Sequence, residues 1–225
     1  MTIGERLYFT FVYEERYRFF LNGLGNTLIL TLASFVLGTL LAVVFCALKN
    51  SKNKVVSSVT KAFCSLMIQL PTLVLLMVFV YILFGEAGLS ILLVVSFALI
   101  LKASAYLAEI FDTAVNTVNP GEIEAARTLG MTKSQAFFNV VLPQAVTAAK
   151  PLYKNQFINT MQETSTVGYL AVVDLTRASS IVTSRTLDAL FGLIMISIIY
   201  LVIGYIGQVL IGLIGKRKHL GGRAQ

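Results

Sequence analysis

Long apolar stretches separated by short polar segments dominate the chain. A membrane-spanning helix needs roughly 20 mainly apolar residues, and several stretches reach that length. We therefore expect an all-α, polytopic helical membrane protein with about five transmembrane helices and a single transmembrane domain over residues 1–225. The candidate spans are 27–48, 62–84, 89–108, 152–173 and 187–214.

Composition agrees with this assignment. Hydrophobic residues make up 56% of the chain and charged residues 13%, and the mean hydropathy of +0.80 is well above that of a soluble domain. Cys46 and Cys64 lie in or beside apolar runs, so we expect buried thiols rather than a disulfide. The single histidine, His219, offers no His-based metal cluster or Ser-His pair. We expect no metal site and no enzymatic activity in this chain.

Basic residues indicate the orientation in the membrane, because short basic loops resist translocation. Four lysines lie between the first two candidate spans, and four basic residues follow the last one: Lys49, Lys52, Lys54, Lys61, Lys216, Arg217, Lys218 and Arg223. Both segments should be cytoplasmic, giving an N-out/C-in topology with 85–88 and 174–185 outside. The net charge of +7 therefore reflects topology and predicts no nucleic-acid partner.

The predicted cytoplasmic loop, 110–150, carries the signals of a helical hairpin. Asn119 can cap a helix that starts at Pro120, and Glu122 can reach back to the amide of Asn119. Gly130 stands where a left-handed residue would close that helix. A second helix starts at Thr132, with Gln135 completing a capping box, and apolar residues give it a buried side before Pro143 interrupts it.

The fourth candidate span is the least apolar. Its polar residues fall within about 140° of one helical face, which should point away from lipid. A carboxylate near mid-membrane costs on the order of 3 kcal/mol to insert, so Glu163 needs a partner, a water-filled path or a substrate ammonium group. The alternative is a hydrogen-bond network that only holds the bundle together. The predicted substrate path is Gln156, Asn159, Thr160, Glu163, Thr164 and Ser165.

Other polar positions in the spans leave alternatives open. Gln69 and Pro71 indicate a helix break, which could line a gate or simply be a packing kink. Lys102 could snorkel to the interface or meet an acidic neighbour. Glu109 could brace the loop or remain solvated at the interface.

The loop segment EAARTLGMTKSQAFFNVVLP resembles the EAA loop of ATP-binding cassette (ABC) importer permeases. The flanking segments 104–110 and 142–145, and the motif Glu163-Thr164-Ser165, resemble the polar amino acid uptake branch of that family, and the likeness covers about residues 20 to 215. It implies a type I ABC importer permease fold in a bacterial cytoplasmic membrane. It also implies that the loop docks on an ATPase through Glu124, Ala125, Ala126, Gly130, Leu142 and Pro143.

The resemblance implies several partners. They are a second permease, identical or a paralogue, two cytoplasmic ABC ATPase subunits, and an extracytoplasmic amino acid-binding protein, all in contact with membrane lipid. ATP and Mg²⁺ would sit on the ATPases, since this chain contains no G-x-x-x-x-G-K-[ST] run. We therefore expect no cofactor in this chain and a function in ATP-driven amino acid import.

Some positions depart from the family pattern. Ile68 and Leu75 stand around Pro71 where an Arg and a Gln are common, Asp112 replaces a common Arg, and Gln162 replaces a frequent Lys. These changes lie outside the EAA loop but leave the solute undefined. Two other functions remain as alternatives: an ion-coupled secondary carrier or channel, and a membrane scaffold that transports nothing. A secondary carrier would usually be longer, with inverted repeats.

Overall fold

The computed structural model describes residues 2–213, and within that range every regular element is a helix. His219 and the basic residues from Lys216 onward lie outside the described residues. We number ten α-helices in chain order: α1 Ile3–Leu7, α2 Tyr17–Lys49, α3 Lys54–Gln69, α4 Thr72–Met77, α5 Ile91–Asn116, α6 Pro120–Thr128, α7 Lys133–Ala136, α8 Leu142–Thr164, α9 Leu175–Thr186 and α10 Ala189–Leu213. Wider π-type turns cover Tyr8–Val12, Val78–Leu83 and Phe137–Val141, and tighter 3₁₀ turns cover Tyr13–Glu15 and Ser165–Leu170.

Three helices, α2, α5 and α10, are long and apolar enough to cross a membrane. The candidate span 62–84 is a bent pair instead of one straight helix, because α3 and the helical segment Thr72–Leu83 meet at 111°. Counted as one span, this pair brings the number in the described range to four. The candidate span 152–173 falls mostly on α8. This helix is not one of the four, because its polar face lowers its hydropathy.

Several helices have bounds different from those of the candidate spans. α2 begins at Tyr17 and α5 runs on to Asn116, so both extend beyond the apolar stretches 27–48 and 89–108. α8 starts at Leu142 and ends at Thr164, so residues 165–170 of the predicted span form a 3₁₀ turn. The predicted interruption at Pro143 was wrong. The proline lies in the first turn of α8, just after a π-type turn, where a helix tolerates the missing N–H.

α2 and α5 pack along each other at the centre of the bundle, with α8 against both. Small residues permit the close approach: Ala42 is fully buried, and a side-chain carbon added at Gly38 would lie 3.1 Å from the Cβ of Ala103. Small residues four positions apart on one helix face commonly allow such close packing between membrane helices. α10 packs on α8 and α9, and α3 packs on α5. The bundle therefore places the polar face of α8 next to α5 and the α3–α4 break.

Candidate functional site

The break between α3 and α4 supplies one wall of a polar site. Leu70 and Pro71 are extended, so backbone carbonyls near the end of α3 lose their helical donors. Two side chains of α5 replace them. The Lys102 ammonium donates to the Leu70 carbonyl at 2.6 Å, and the Tyr106 hydroxyl donates to the Ile68 carbonyl at 3.3 Å. Buried backbone polar groups require partners, and α5 supplies them here. It therefore stabilises the break that was predicted at Pro71.

Glu163 of α8 lies beside this break. Its Oε1 accepts a hydrogen bond from the Thr72 hydroxyl at 3.1 Å and lies 3.9 Å from the Lys102 ammonium. Its Oε2 is buried and has no hydrogen-bond partner within residues 2–213. Of the two alternatives for Lys102, the structure shows the acidic neighbour, since only 2% of this residue is exposed. One oxygen of Glu163 is therefore bonded within the protein, and the other is buried without a partner in the described part of the chain.

A cavity of about 340 Å³ opens onto Glu163. Glu163 is the one charged residue among those that line it, and the others carry amides or hydroxyls: Thr72, Tyr106, Gln156, Asn159, Gln162 and Thr166. The Nε2 of Gln156 is also buried and unpaired in the described part of the chain. The volume of the cavity is within the range of small-molecule sites, and its polar lining suits a polar ligand.

The structure brings together only half of the predicted substrate path. Gln156, Asn159 and Glu163 line the cavity. Thr160 and Thr164 are fully buried and do not line it, and Ser165 is also absent from the lining. The hydroxyls of all three donate to carbonyls of the same helical segment at 2.7 to 2.8 Å. Gln69 is exposed and bonds Ser65 on its own helix, so its side chain does not reach the cavity.

Sequence reasoning missed four lining residues: Thr72, Tyr106, Gln162 and Thr166. Three of them carried a weak signal in the sequence. Thr72 directly follows the helix-breaking Pro71. Tyr106 lies one turn after Lys102, so Lys102 and Tyr106 share a face of α5. Gln162 precedes the motif that contains Glu163.

A larger cavity, about 510 Å³, lies near the start of α2 and is lined by Asn22, Asn26 and Val173 among others. The residues that line it include no ionisable group. The Asn26 amide already donates to the Val173 carbonyl at 2.8 Å. We therefore place the candidate site at Glu163, where buried polar atoms lack partners.

The EAA segment forms the predicted hairpin, from α6 to α7. The Asn119 side chain accepts from the Gly121 amide at 2.9 Å, with Pro120 opening the helix. Gly130 has a φ of +87°, the left-handed conformation that closes α6. Thr132 and Gln135 form the predicted capping box. The capping residues and the left-handed glycine were therefore sufficient to predict this hairpin from the sequence.

Two details of the hairpin differ from prediction. Glu122 does not reach back to Asn119, because the side-chain amide of Gln144 in α8 donates to its carboxylate instead. Leu142 and Pro143 belong to the helix that continues into α8, half-buried and exposed respectively.

The outer face of α6 is short and accessible. Glu124 and Ala125 are exposed, Leu129 is 81% exposed, and Ala126 is buried against the rest of the hairpin. Small residues next to a charge allow close approach to a groove on another protein. The hairpin can therefore serve as a docking element.

These features define a class: a helical membrane protein with a polar cavity beside a broken helix and a separate docking hairpin. Residues 34–220 match the family described as binding-protein-dependent transport system inner membrane component, and the chain belongs to this family.

Curated relatives and a solved structure agree with this assignment. The chain is 31% identical over 194 residues to "Probable amino-acid permease protein YxeN" of Bacillus subtilis, covering 84% of this chain and 87% of that protein. It is 31% identical over 209 residues to the histidine/lysine/arginine/ornithine transport system permease protein HisM of Salmonella typhimurium, covering 87% of each. The fold matches the crystal structure of "an amino acid ABC transporter with histidines" with a TM-score of 0.79 and 32% identity, covering 88% of this chain and 92% of that one.

The family defines the general role of the molecule. The chain is a permease subunit of an ABC importer in a bacterial membrane. Such a subunit works with an ATPase and a solute-binding protein.

Proposed function

We propose that this chain forms the translocation path of an ATP-driven amino acid importer. Two observations support amino acids as cargo. The relatives above carry amino acid transport in their names, and the cavity presents one carboxylate among uncharged polar groups. An α-amino acid offers an ammonium group and a carboxylate, which such a lining can bind separately.

The unpaired Oε2 of Glu163 is the observation that carries this proposal. A buried carboxylate oxygen without a partner is costly, since each unsatisfied buried polar group loses about 1–3 kcal/mol. A substrate ammonium at this oxygen would supply a charge-assisted hydrogen bond. The unpaired amide of Gln156 would then face the substrate carboxylate. Glu163 therefore acts as the recognition site for the α-ammonium group.

The hairpin is the coupling element in this proposal. The docking element for an ATPase consists of Glu124, Ala125, Ala126, Gly130, Leu142 and Pro143. The last two are also the first residues of α8. Because α8 also carries Glu163, a displacement of the hairpin reaches the cavity through one continuous helical segment. The break at Pro71 is the part of the wall that gates the path, with Gln69 on its exposed side.

The complete importer contains this chain with a second permease, identical or a paralogue. Two cytoplasmic ATPases carry ATP and Mg²⁺, and an extracytoplasmic protein delivers the amino acid. The chain itself is not an enzyme and needs no cofactor of its own. Ligands that favour different states of the assembly shift it between outward-open and inward-open forms.

Uptake by the complex reconstituted in liposomes tests the proposal. We expect ATP-dependent accumulation of a radiolabelled amino acid, and at least a tenfold loss of uptake in Glu163→Gln while the binding protein still binds the solute. Glu86→Gln is the matched control, since Glu86 is exposed in the 85–88 turn. Full uptake by Glu163→Gln would refute the recognition role.

The same preparation separates the alternatives. An ion-coupled carrier would transport without the ATPase when an ion gradient is imposed. A scaffold would transport under neither condition. Either result would overturn the proposed importer.

A further inference from the structure

We infer that Lys102 sets the charge selectivity of the cavity and that the cargo is a polar amino acid without net charge. This inference rests on the proposed function, because it concerns the same cavity. The Lys102 ammonium is not among the groups that line the cavity, but it lies next to Glu163, the one carboxylate that does.

Lys102 is held behind the cavity wall. It is 2% exposed, and its ammonium contacts the Leu70 carbonyl at 2.6 Å and Glu163 Oε1 at 3.9 Å, with the Tyr106 ring centre 5.9 Å away. It does not occur among the residues that line the cavity. The protein therefore fixes this charge where a substrate does not displace it directly.

The position of Lys102 makes the cavity electrically balanced. Glu163 contributes one negative charge, and the ammonium behind it contributes one positive charge at a short distance. In a membrane interior such charges are weakly screened and act strongly on each other. A substrate entering the cavity therefore meets a carboxylate whose charge is already compensated.

A cavity with balanced charge favours amino acids that carry no net charge. An α-ammonium group binds Oε2, and the amides of Gln156, Asn159 and Gln162 can donate to the α-carboxylate and to a polar side chain. A cationic side chain would need a second carboxylate, and the residues that line the cavity supply none. An anionic side chain would bring an uncompensated charge near Glu163. Uncharged polar side chains, such as a carboxamide, fit the lining.

Lys102 acts through Glu163 and is a positioning residue, so the test must measure selectivity as well as affinity. The complex of this chain with its ATPase is used without the binding protein, whose own selectivity would obscure that of the cavity. Binding of radiolabelled glutamine, arginine and glutamate is measured by scintillation proximity. The wild type should bind glutamine at least tenfold more tightly than arginine or glutamate.

Removing the lysine should change this order. We expect Lys102→Met to bind arginine at least tenfold more tightly than the wild type does, because Glu163 is then uncompensated. Lys102→Arg should keep the original order. The double variant Lys102→Met/Glu163→Gln should lose the gain for arginine. Lys61→Met, an exposed lysine of α3, is the control and should bind as the wild type.

A second variant leaves Lys102 in place, in case Lys102→Met is poorly folded. Gln162 is exposed and lines the cavity, so Gln162→Glu adds a negative charge without burying it. Arginine binding should again rise at least tenfold. If the folded variants keep the order of the wild type, the inference is overturned while the importer stands. If the wild-type complex, supplied with its binding protein, shows no ATP-dependent uptake of any amino acid, the proposed function fails instead.

Discussion

The ammonium group of Lys49 lies 2.5 Å from a carboxylate oxygen of Glu109 and 3.4 Å from one of Asp112. Lys49 is the last residue of α2, and only 5% of its side chain is exposed. The side chain of Asn50 adds a hydrogen bond to Asp112 at 2.7 Å. These contacts join α2 to the last turns of α5, just before the chain enters the hairpin. Glu109 therefore braces this junction, although 54% of its side chain is exposed.

Lys49→Met should weaken this brace and lower the coupling of transport to ATP hydrolysis. The cost in stability should be about 1 kcal/mol rather than the several expected for a fully buried pair, since Glu109 can be solvated and Asp112 keeps Asn50. Thermal unfolding in detergent and the ratio of solute transported to ATP hydrolysed measure the two effects. Lys52→Met, which changes an exposed lysine between α2 and α3, should change neither. Equal values for both variants would contradict the brace.

Gly130→Asp should leave membrane insertion intact but uncouple transport from ATP hydrolysis. Gly130 has a φ of +87° and no atom within 4 Å of an added Cβ, so the cost is in backbone conformation and not in crowding. A residue other than glycine loses about 1 kcal/mol there, and Asn loses less because it tolerates the left-handed region. Uptake in vesicles and solute-stimulated ATPase activity are the measurements. Gly130→Asn should retain more coupling than Gly130→Asp, and normal uptake by the Asp variant would remove the coupling role.

Local chemistry explains why the sequence predicted the hairpin so closely. The cap at Asn119, the capping box at Thr132 and the left-handed Gly130 each depend on residues within about four positions, so reading the sequence in short windows suffices. The same approach failed where a distant group competes. Glu122 has a local partner available in Asn119, but Gln144 lies 22 residues away and takes its place.

The cavity could be predicted only in part for the same reason. Glu163 was identified because a carboxylate in an apolar span demands an explanation. Its partner Thr72 is 91 residues away, and the role of Lys102 depends on a carbonyl 32 residues away. Such contacts follow from how α4, α5 and α8 pack, and no periodicity within one helix contains that information.

Glu124→Cys should place a reactive thiol on the cytoplasmic side of the membrane. Glu124 is exposed on the outer face of α6, and the native Cys46 and Cys64 are first replaced by alanine. A membrane-impermeant maleimide should label this variant in inside-out vesicles and not in right-side-out ones, and binding of the ATPase should protect it. Glu86→Cys, in the 85–88 turn, should show the opposite sidedness. Labelling of the Glu124→Cys variant from outside would refute the predicted orientation of the hairpin.

Gly207→Ala should destabilise the bundle by about 1–3 kcal/mol, the usual cost of overpacking a filled interior. The Phe157 ring of α8 occupies the space that a Cβ at Gly207 of α10 would need, and Phe157 is only 6% exposed. The ring is also held by Phe35, whose ring centre is 5.2 Å away, so it cannot easily turn aside. Thermal unfolding in detergent measures the loss, and Phe157→Leu in the same chain should recover part of it by making room. Gly25→Ala is the matched control, because an added Cβ there meets nothing within 4 Å. If both glycine variants unfold at the temperature of the wild type, the close contact between Gly207 and Phe157 does not stabilise the packing of α10 on α8.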